Sequence, residues 1–342
     1  MGQVVRIGLD IAKSVFQLHG VDADGEVVLR RRLTRARMLP FFAGLEPCQV
    51  GIEACATAHF WARELGRLGH DVKLMAPSYV KPYVKRQKND TADAEAICEA
   101  VSRPSMRFVG AKTPMQQSTL VLHRTRLMLM RQRTQLSNAM RGHMGEFGIV
   151  APIGRKGLQK LISIIADEAD ERVPASARAC LQMLAGQLEL VNVQVLDIDR
   201  RVMASARATD VGRRLMGIPG VGPVLASALV ATVPDPFVFR NGRNLAAWIG
   251  LVPKQNSSGG KERLGGITKQ GDRYLRQMLV LGAMAVIRYA ERHGTRRPWL
   301  VKLMARRTTK VAAVALANKM ARMVWAIMTS GEPYREPVVQ AA

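Results

Sequence analysis

The chain predicts an α/β amino-terminal domain, a middle region of long helices and a mostly helical carboxy-terminal domain. Three observations lead there. Short β-rich segments alternate with helical ones through the N-terminal third. Two long stretches, 115–149 and 156–207, then carry apolar residues at helical spacing, the second broken near Pro174. After Arg213 the composition shifts to helices punctuated by Gly, Pro and Ser. These transitions divide the sequence into 1–112, 113–210 and 211–335.

Taken in order, 3–9 reads as a strand ending at Asp10, and 14–20 and 26–33 as two more around the turn Asp22-Ala23-Asp24-Gly25. Together they predict an antiparallel meander. Residues 35–44 read as helix, and Gln49-Val50-Gly51-Ile52 as a short strand reaching Glu53. A helix over 58–68, a strand over 72–75 and a helix over 91–102 follow. The order β-β-β-α-β-α-β-α is the layout of a ribonuclease-H-like fold. The middle helices are long, basic and amphipathic, suited to a helical hairpin or coiled coil. Beyond them the sequence predicts a helix over 224–232, a Gly- and Ser-rich loop over 254–272, and helices over 273–292 and 298–329.

Charge is the first functional clue. Lys and Arg number 51 against 27 Asp and Glu, a net +24 in 342 residues. A chain this basic suits a polyanionic partner, and nucleic acid first, because neutralised phosphates release counterions. A membrane surface is the competing class, but no long apolar span is expected: the most apolar stretch, 278–287, is too short. The N-terminus leads into a strand and does not read as a signal peptide. Cys48, Cys55, Cys98 and Cys180 have neither zinc-ligand spacing nor the look of a disulfide framework. They read as small buried residues of a cytoplasmic protein.

Four carboxylates stand where chemistry would need them. Asp10 and Glu53 end strands that neighbour each other in this layout. Asp90 and Asp93 open a helix three residues apart and so share a face, with Thr91 placed to help cap it. Carboxylates converging from separate elements suit hard cations, Mg²⁺ or Mn²⁺. Two such ions stabilise both the attacking and the leaving oxygen of a phosphodiester. Any one of the four, alone, is more often a cap or a solvated residue; the ordered set carries the argument. Asp22, Asp24, Asp71 and Glu95 read as turn or solvated residues.

Two further segments suit phosphate. Gly217-Ile218-Pro219-Gly220-Val221-Gly222 is like the turn of a helix-hairpin-helix module, which aims backbone N–H groups at a nucleic-acid backbone through glycines such as Gly220 and Gly222. A plain tight helix connection uses glycine in the same way. In the 254–272 loop, Ser257 and Ser258 lie among glycines with Lys254, Lys261, Arg263, Lys269 and Arg273 nearby. A serine there is either a nucleophile activated by surrounding cations or part of a loop that only grips phosphate. No adjacent His–Asp pair marks a general base.

Five segments, in this order, carry a family resemblance: Gly8-Leu9-Asp10-Ile11-Ala12-Lys13, Ile52-Glu53-Ala54-Cys55, Lys88-Asn89-Asp90-Thr91-Ala92-Asp93-Ala94, Ile218-Pro219-Gly220-Val221-Gly222, and Gly250-Leu251-Val252-Pro253 running to Leu275-Arg276. Over nearly the whole chain they resemble the DEDD transposases of the insertion-sequence "IS-one-ten" family, related to Piv-type invertases. The C-terminal segment is closer to the "eleven-eleven" subgroup. The resemblance implies a RuvC-like N-terminal domain whose four Mg²⁺-binding acids match Asp10, Glu53, Asp90 and Asp93. It implies a serine that attacks DNA and forms a phosphoserine link. By the Ser-Gly step this is Ser258, with Ser257 the adjacent alternative. Cys55 stands where many members have Thr or Gly. The family further implies an element-encoded structured RNA that pairs with donor and target DNA. It also implies dimers that pair into tetramers, for which 115–149 and 156–207 are candidate surfaces. Two readings stay open beside a recombinase that excises and inserts its element. One is a hydrolytic junction resolvase in which Ser258 only grips phosphate. The other is a non-catalytic nucleic-acid-binding protein, against which the complete acidic set argues.

Overall fold

The structure, a computed structural model, describes residues 2–85, 89–295 and 297–336. Its contacts gather into two compact units: residues 1–114 with 233–240, and 115–232 with 241–342.

The first unit is built on a six-stranded sheet. Strands β1 (Arg6–Ile11), β2 (Val15–Val21) and β3 (Val27–Thr34) form an antiparallel meander. Asp22 turns the chain between β2 and β3 by accepting the amides of Asp24 and Glu26, and Gly25 supplies a φ of 87°. Helix α1 (Met38–Ala43) leads to β4 (Gln49–Glu53), which lies parallel to β1. Helix α2 (Ala58–Arg67), β5 (Asp71–Met75), the short α3 (Pro77–Val80), α4 (Asp90–Val101) and β6 (Phe108–Val109) complete the unit. The strand order is β3-β2-β1-β4-β5-β6. β6 was not anticipated, because two residues carry no periodicity.

Strand alternation sends Ile7, Leu9, Phe16, Leu18, Leu33, Val50, Ile52 and Leu74 to one face, where they bury against Phe42, Trp61 and Leu65 of α1 and α2. The opposite face is covered by α4, and the reason it fits is Gly8 and Gly51. These two stand side by side in the β1–β4 register. A Cβ on Gly8 would lie 2.1 Å from the Ala94 carbonyl oxygen, and one on Gly51 would lie 2.8 Å from the Val101 Cβ. Helix α4 therefore rests on bare backbone, with Ala96, Ile97, Ala100 and Val101 packed beside Met75 and Val80.

The second unit is almost wholly helical. Helices α5 (Pro114–Glu146), α6 (Arg155–Ala166) and α7 (Ala175–Ala208) match the two long stretches, with Pro174 capping α7. α5 and α7 run antiparallel: Arg126 pairs with Asp199 at 2.5 Å, Leu129 packs with Val191 and Val195, and Met140 belongs with Leu181 and Leu188. Arg178, buried on α7, donates to the carbonyls of Ile164, Ile165 and Asp167 and so caps α6. Then come α8 (Asp210–Leu215), α9 (Pro223–Thr232), α10 (Gly242–Ile249), the hairpin β7 (Pro253–Gln255) and β8 (Leu264–Ile267), α11 (Arg273–His293), α12 (Pro298–Arg306) and α13 (Thr309–Ser330).

Several expectations need correction. The 254–272 segment is not simply a loop but contains the β7–β8 hairpin. Helix α10 was missed, and the helix expected over 298–329 is two, because Arg307 and Thr308 are extended between them. Cys48 and Cys98 are buried as expected, but Cys55 and Cys180 are exposed; all four are free thiols. α7 and α13 are long and apolar enough to cross a membrane by length and composition alone, contrary to the expected lack of such spans. Interior helices of folded domains pass the same test, and α13 buries Ala313, Leu316, Ala317, Met320 and Val324 within its unit.

A polar network runs through the second unit. His123 on α5 is buried, with one ring nitrogen 3.0 Å from the Tyr274 hydroxyl and the other 3.1 Å from the Ser227 hydroxyl. Burial, and then the charge of Arg126, lower its pKa from 6.5 to about 4. Its folded pKa lies below its unfolded one, so the fold holds it neutral and loses stability as pH falls from 6.5 toward 4. In denaturant titrations the wild type should lose up to about 1.4 kcal/mol per pH unit across that window on this account, and His123→Gln should lose correspondingly less. Equal losses in the two proteins would show that His123 is not the acid-labile group.

Candidate active site

The acidic set is assembled by strand register and helix phase. Leu9 of β1 pairs with Ile52 of β4, so Asp10 and Glu53 follow at the ends of neighbouring parallel strands. Each lies two residues beyond the glycine that faces α4, and alternation points both carboxylates to the same face. On α4, Asp90 and Asp93 continue the stripe of Ala94, Ile97 and Val101 that sits on the sheet. The sheet-borne and helix-borne acids therefore meet at one end of the α4–sheet contact.

The helix start is fixed by Asn89, which is extended and accepts the Ala92 amide at 2.8 Å. Thr91, expected to help cap, does something else. Its hydroxyl accepts a 3.0 Å hydrogen bond from Gln17 Nε2, tying the first turn of α4 to β2. Gln17 was missed because its relevance depends on its pairing opposite Asp10, which no local pattern announces. Lys88 of the same motif lies outside the described residues. Asp22 and Asp24 are turn residues, Asp71 pairs with Lys73 at 2.9 Å, and Glu95 pairs with Lys85 at 2.5 Å.

Asp10 shows how closely the set is coupled. Its carboxyl is pushed up from 3.8 to about 6, first by burial and then by the charges of Asp93, Asp90 and Glu53. The other three expected carboxylates thus all act on Asp10. Among the described residues no group of three or more ligands is gathered tightly enough to hold an ion as it stands. The chemistry nevertheless fits a hard divalent cation: the donors are all carboxylate oxygens, and their mutual repulsion is what such an ion relieves.

The serine segment belongs to the second unit. Beyond β7 and β8 the hairpin continues through a bridge between Ser258 and Lys261. Gly259 and Gly260 form its tip at φ 55° and 74°, the positive values a two-residue hairpin turn requires. The Gly-Gly pair was therefore a readable hairpin signal. Ser257 accepts the Arg263 amide at 3.1 Å, whereas the Ser258 hydroxyl has no hydrogen-bond partner among the described residues and is exposed. The root is held tightly. Gly250 and Gly271 press on the backbone of Gln270 and Trp248, and Arg276 donates to the carbonyls of Ile249 and Gln270 at 2.7 and 2.9 Å. Lys254, Lys261, Arg263, Lys269 and Arg273 are all exposed along this hairpin and the start of α11, Lys269 with a left-handed φ of 57°.

The glycine-hinged segment joins α8 to α9 as a helix–turn–helix. Gly220 (φ 88°) is in a packing role: its Cβ would lie 2.7 Å from the Gly282 carbonyl oxygen of α11. Gly222, exposed and with open space around it, stands directly before α9.

The coupling at Asp10 has a measurable consequence. Its folded pKa is raised, so its ionisation costs stability as pH rises through about 6. In EDTA at neutral pH, Asp10→Asn should stabilise the protein by on the order of 1 kcal/mol, the full linkage value being discounted for a half-exposed group. The gain should fade as pH drops toward 4. Added Mg²⁺ should raise the melting temperature of wild type more than that of the variant, and an equal rise would separate Asp10 from the ion.

Residues 7–149 match a family model described as "Transposase", and residues 212–297 match the "Transposase IS116/IS110/IS902 family". A Pseudomonas aeruginosa protein described as a probable family 20 transposase is 48% identical, covering 96% of this chain and 98% of that one. The transposase for insertion sequence element IS1328 of Yersinia enterocolitica is 40% identical, covering 97% and 98%. The transposase for IS1111A of Coxiella burnetii is 41% identical, covering 98% and 92%. With such similarity along nearly its full length, the chain belongs to the IS110 family of transposases.

Proposed function

We propose that this transposase excises and inserts its element by metal-dependent strand cleavage and rejoining through a serine–DNA intermediate. The observation that carries the reading is the Asp10 carboxyl, raised first by burial and then by the charges of Asp93, Asp90 and Glu53. The strand order β3-β2-β1-β4-β5 supports a ribonuclease-H-like, RuvC-like domain around it. In this reading Asp10, Glu53, Asp90 and Asp93 hold Mg²⁺, or Mn²⁺ in its place. The ion, when bound, offsets charge developing on the phosphate. Ser258 is the nucleophile, since Ser257 is engaged as a hairpin pin. The Ser258 oxygen bonds to phosphorus and gives up its proton, and a DNA sugar oxygen leaves and takes a proton. A hydroxyl of the joining strand then attacks the phosphoserine, restoring the serine and the phosphodiester. Lys254, Lys261, Arg263, Lys269 and Arg273 bind flanking phosphates, as does the backbone at Gly222, with Gly220 setting the turn.

The proposed partners are the element ends and target DNA, a structured guide RNA and further copies of the chain, acting in the cytoplasm on nucleoid DNA. The +24 charge supports binding of both nucleic acids. Met183, Leu190, Val193 and Leu196 of α7, exposed and apolar, support a dimer surface on the long helices, which then pair into tetramers.

The test is a denaturing gel of protein, candidate RNA and matched DNA with Mg²⁺. Wild type should give a covalent protein–DNA adduct, and Ser258→Ala and Asp10→Asn should give none. Ser257→Ala should reduce the adduct severalfold without abolishing it. Cleaved DNA without adduct, unaffected by Ser258→Ala, would sink the serine step and leave a hydrolytic resolvase.

A further inference from the structure

One row of side chains crosses the sheet beside the acidic site. Asp10 of β1 is paired with Gln17 of β2, and Gln17 with Arg32 of β3. Directly opposed residues of antiparallel strands point to the same face. That face is the one covered by α4, as the Gln17–Thr91 hydrogen bond shows. The row therefore reads Glu53, Asp10, Gln17, Arg32, from the middle of the sheet to its edge. One step along, the next row contains Gly51, Gly8, His19 and Arg30. Arg30 is near enough to act electrostatically on His19 and Glu95. Arg30 and Arg32 are exposed and form no ion pair among the described residues.

Between them, Arg31 points the other way. It is paired with Leu18, a core residue, and its guanidinium lies 5.2 Å from the centre of the Phe41 ring of α1. Three consecutive arginines on one strand are thus divided by the pleat: two toward the acidic face, one onto an aromatic ring.

We propose that Arg30 and Arg32 each grip a backbone phosphate of the DNA strand whose next phosphate is handled at Asp10, Glu53, Asp90 and Asp93. Arg32 stands two strand spacings from Asp10, about 10 Å, and its long side chain shortens the gap. An arginine fork binds phosphate oxygens bidentately, and β3 is an edge strand of the sheet. Gln17, between the two, is a positioning residue that holds α4 through Thr91. DNA entering over β3 meets the arginines first and the carboxylates next. The cations offset the repulsion that four carboxylates exert on a phosphodiester.

This rests on the acidic site handling DNA, so binding and cleavage are measured separately. The probe is a fluorescein-labelled DNA strand of the element end, free and as duplex, titrated with full-length protein over a range of salt with Mg²⁺. In Arg30→Gln/Arg32→Gln, affinity should fall roughly tenfold near physiological salt. The slope of log K against log salt should shrink by about 1.4 on the single strand and about 1.8 on the duplex, as for two lost phosphate contacts. Arg31→Gln should keep both wild-type affinity and slope, and Arg30→Lys/Arg32→Lys should recover most of the slope. The proposal is overturned by a glutamine double variant with wild-type affinity and slope, by an equal loss in Arg31→Gln, or by a loss seen on RNA of the same sequence and not on DNA. Cleavage is scored on the same samples: wild type that binds through these arginines yet never cuts would count against the proposed chemistry alone.

Discussion

The first unit depends on two missing side chains. Gly8 and Gly51, adjacent in register, let α4 rest on the backbone of β1 and β4, with the Ala94 carbonyl where a Gly8 Cβ would otherwise be. An ordinary residue at either position would push the helix outward by the thickness of a side chain. Asp90 and Asp93 ride on that helix, while Asp10 and Glu53 are fixed in the strands two residues past the glycines. The distance between the two pairs of carboxylates is therefore set by a packing contact made one turn deeper in the core. On the proposed reading of these acids as a catalytic set, which tolerates little misplacement, glycine at these positions is a requirement of the site as much as of the fold.

The second unit uses the same device for a different end. Gly220 and Gly282 meet backbone to backbone, and Gly250 and Gly271 bring the root of the β7–β8 hairpin against the end of α10. In each case a close approach fixes the base of a feature whose tip is left exposed. The hairpin shows the contrast best. Its root is crossed by the Arg276 hydrogen bonds, while its tip turns on Gly259 and Gly260, around which there is open space. A serine on such a tip is presented by a firm base yet is free to meet a partner.

Much of this was legible in the sequence, and the reason lies in range. The strands of the meander, the long helices and the acid positions rest on local periodicity and turn chemistry. Asp22 and Gly25 announce their turn without knowledge of the rest. What escaped was of two kinds. Elements too short for a period, such as β6, give no signal, and the Gly259-Gly260 turn reads as loop because serine and glycine dominate around it. The other kind depends on register: that Gln17 stands opposite Asp10, that Arg32 stands opposite Gln17, that Arg31 faces an aromatic ring. Cross-strand pairing is specified by the whole sheet, so no window of sequence contains it. Buried polar residues such as His123 and Arg178 were missed likewise, since their partners are distant in the chain or carried by backbone.

Electrostatics then explains why so basic a chain concentrates acids in one place. Like charges a few Å apart repel by a few kcal/mol at an effective dielectric near 20. The rise of the Asp10 carboxyl to about 6 is burial first, with that repulsion from Asp93, Asp90 and Glu53 added to it, expressed as a proton affinity. A phosphodiester approaching the bare carboxylates would meet the same repulsion. Near neutral pH the site is therefore poised between protonation, which relieves the strain without chemistry, and cation binding, which relieves it and reverses the sign of the field a phosphate meets. Arg30 and Arg32 do not remove this choice, because their charge lies to one side and is not among the causes that shift Asp10. On the proposed reading, the arrangement keeps binding of DNA and readiness for cleavage as separable properties of one sheet face, the first carried by fixed cations and the second conditional on an ion.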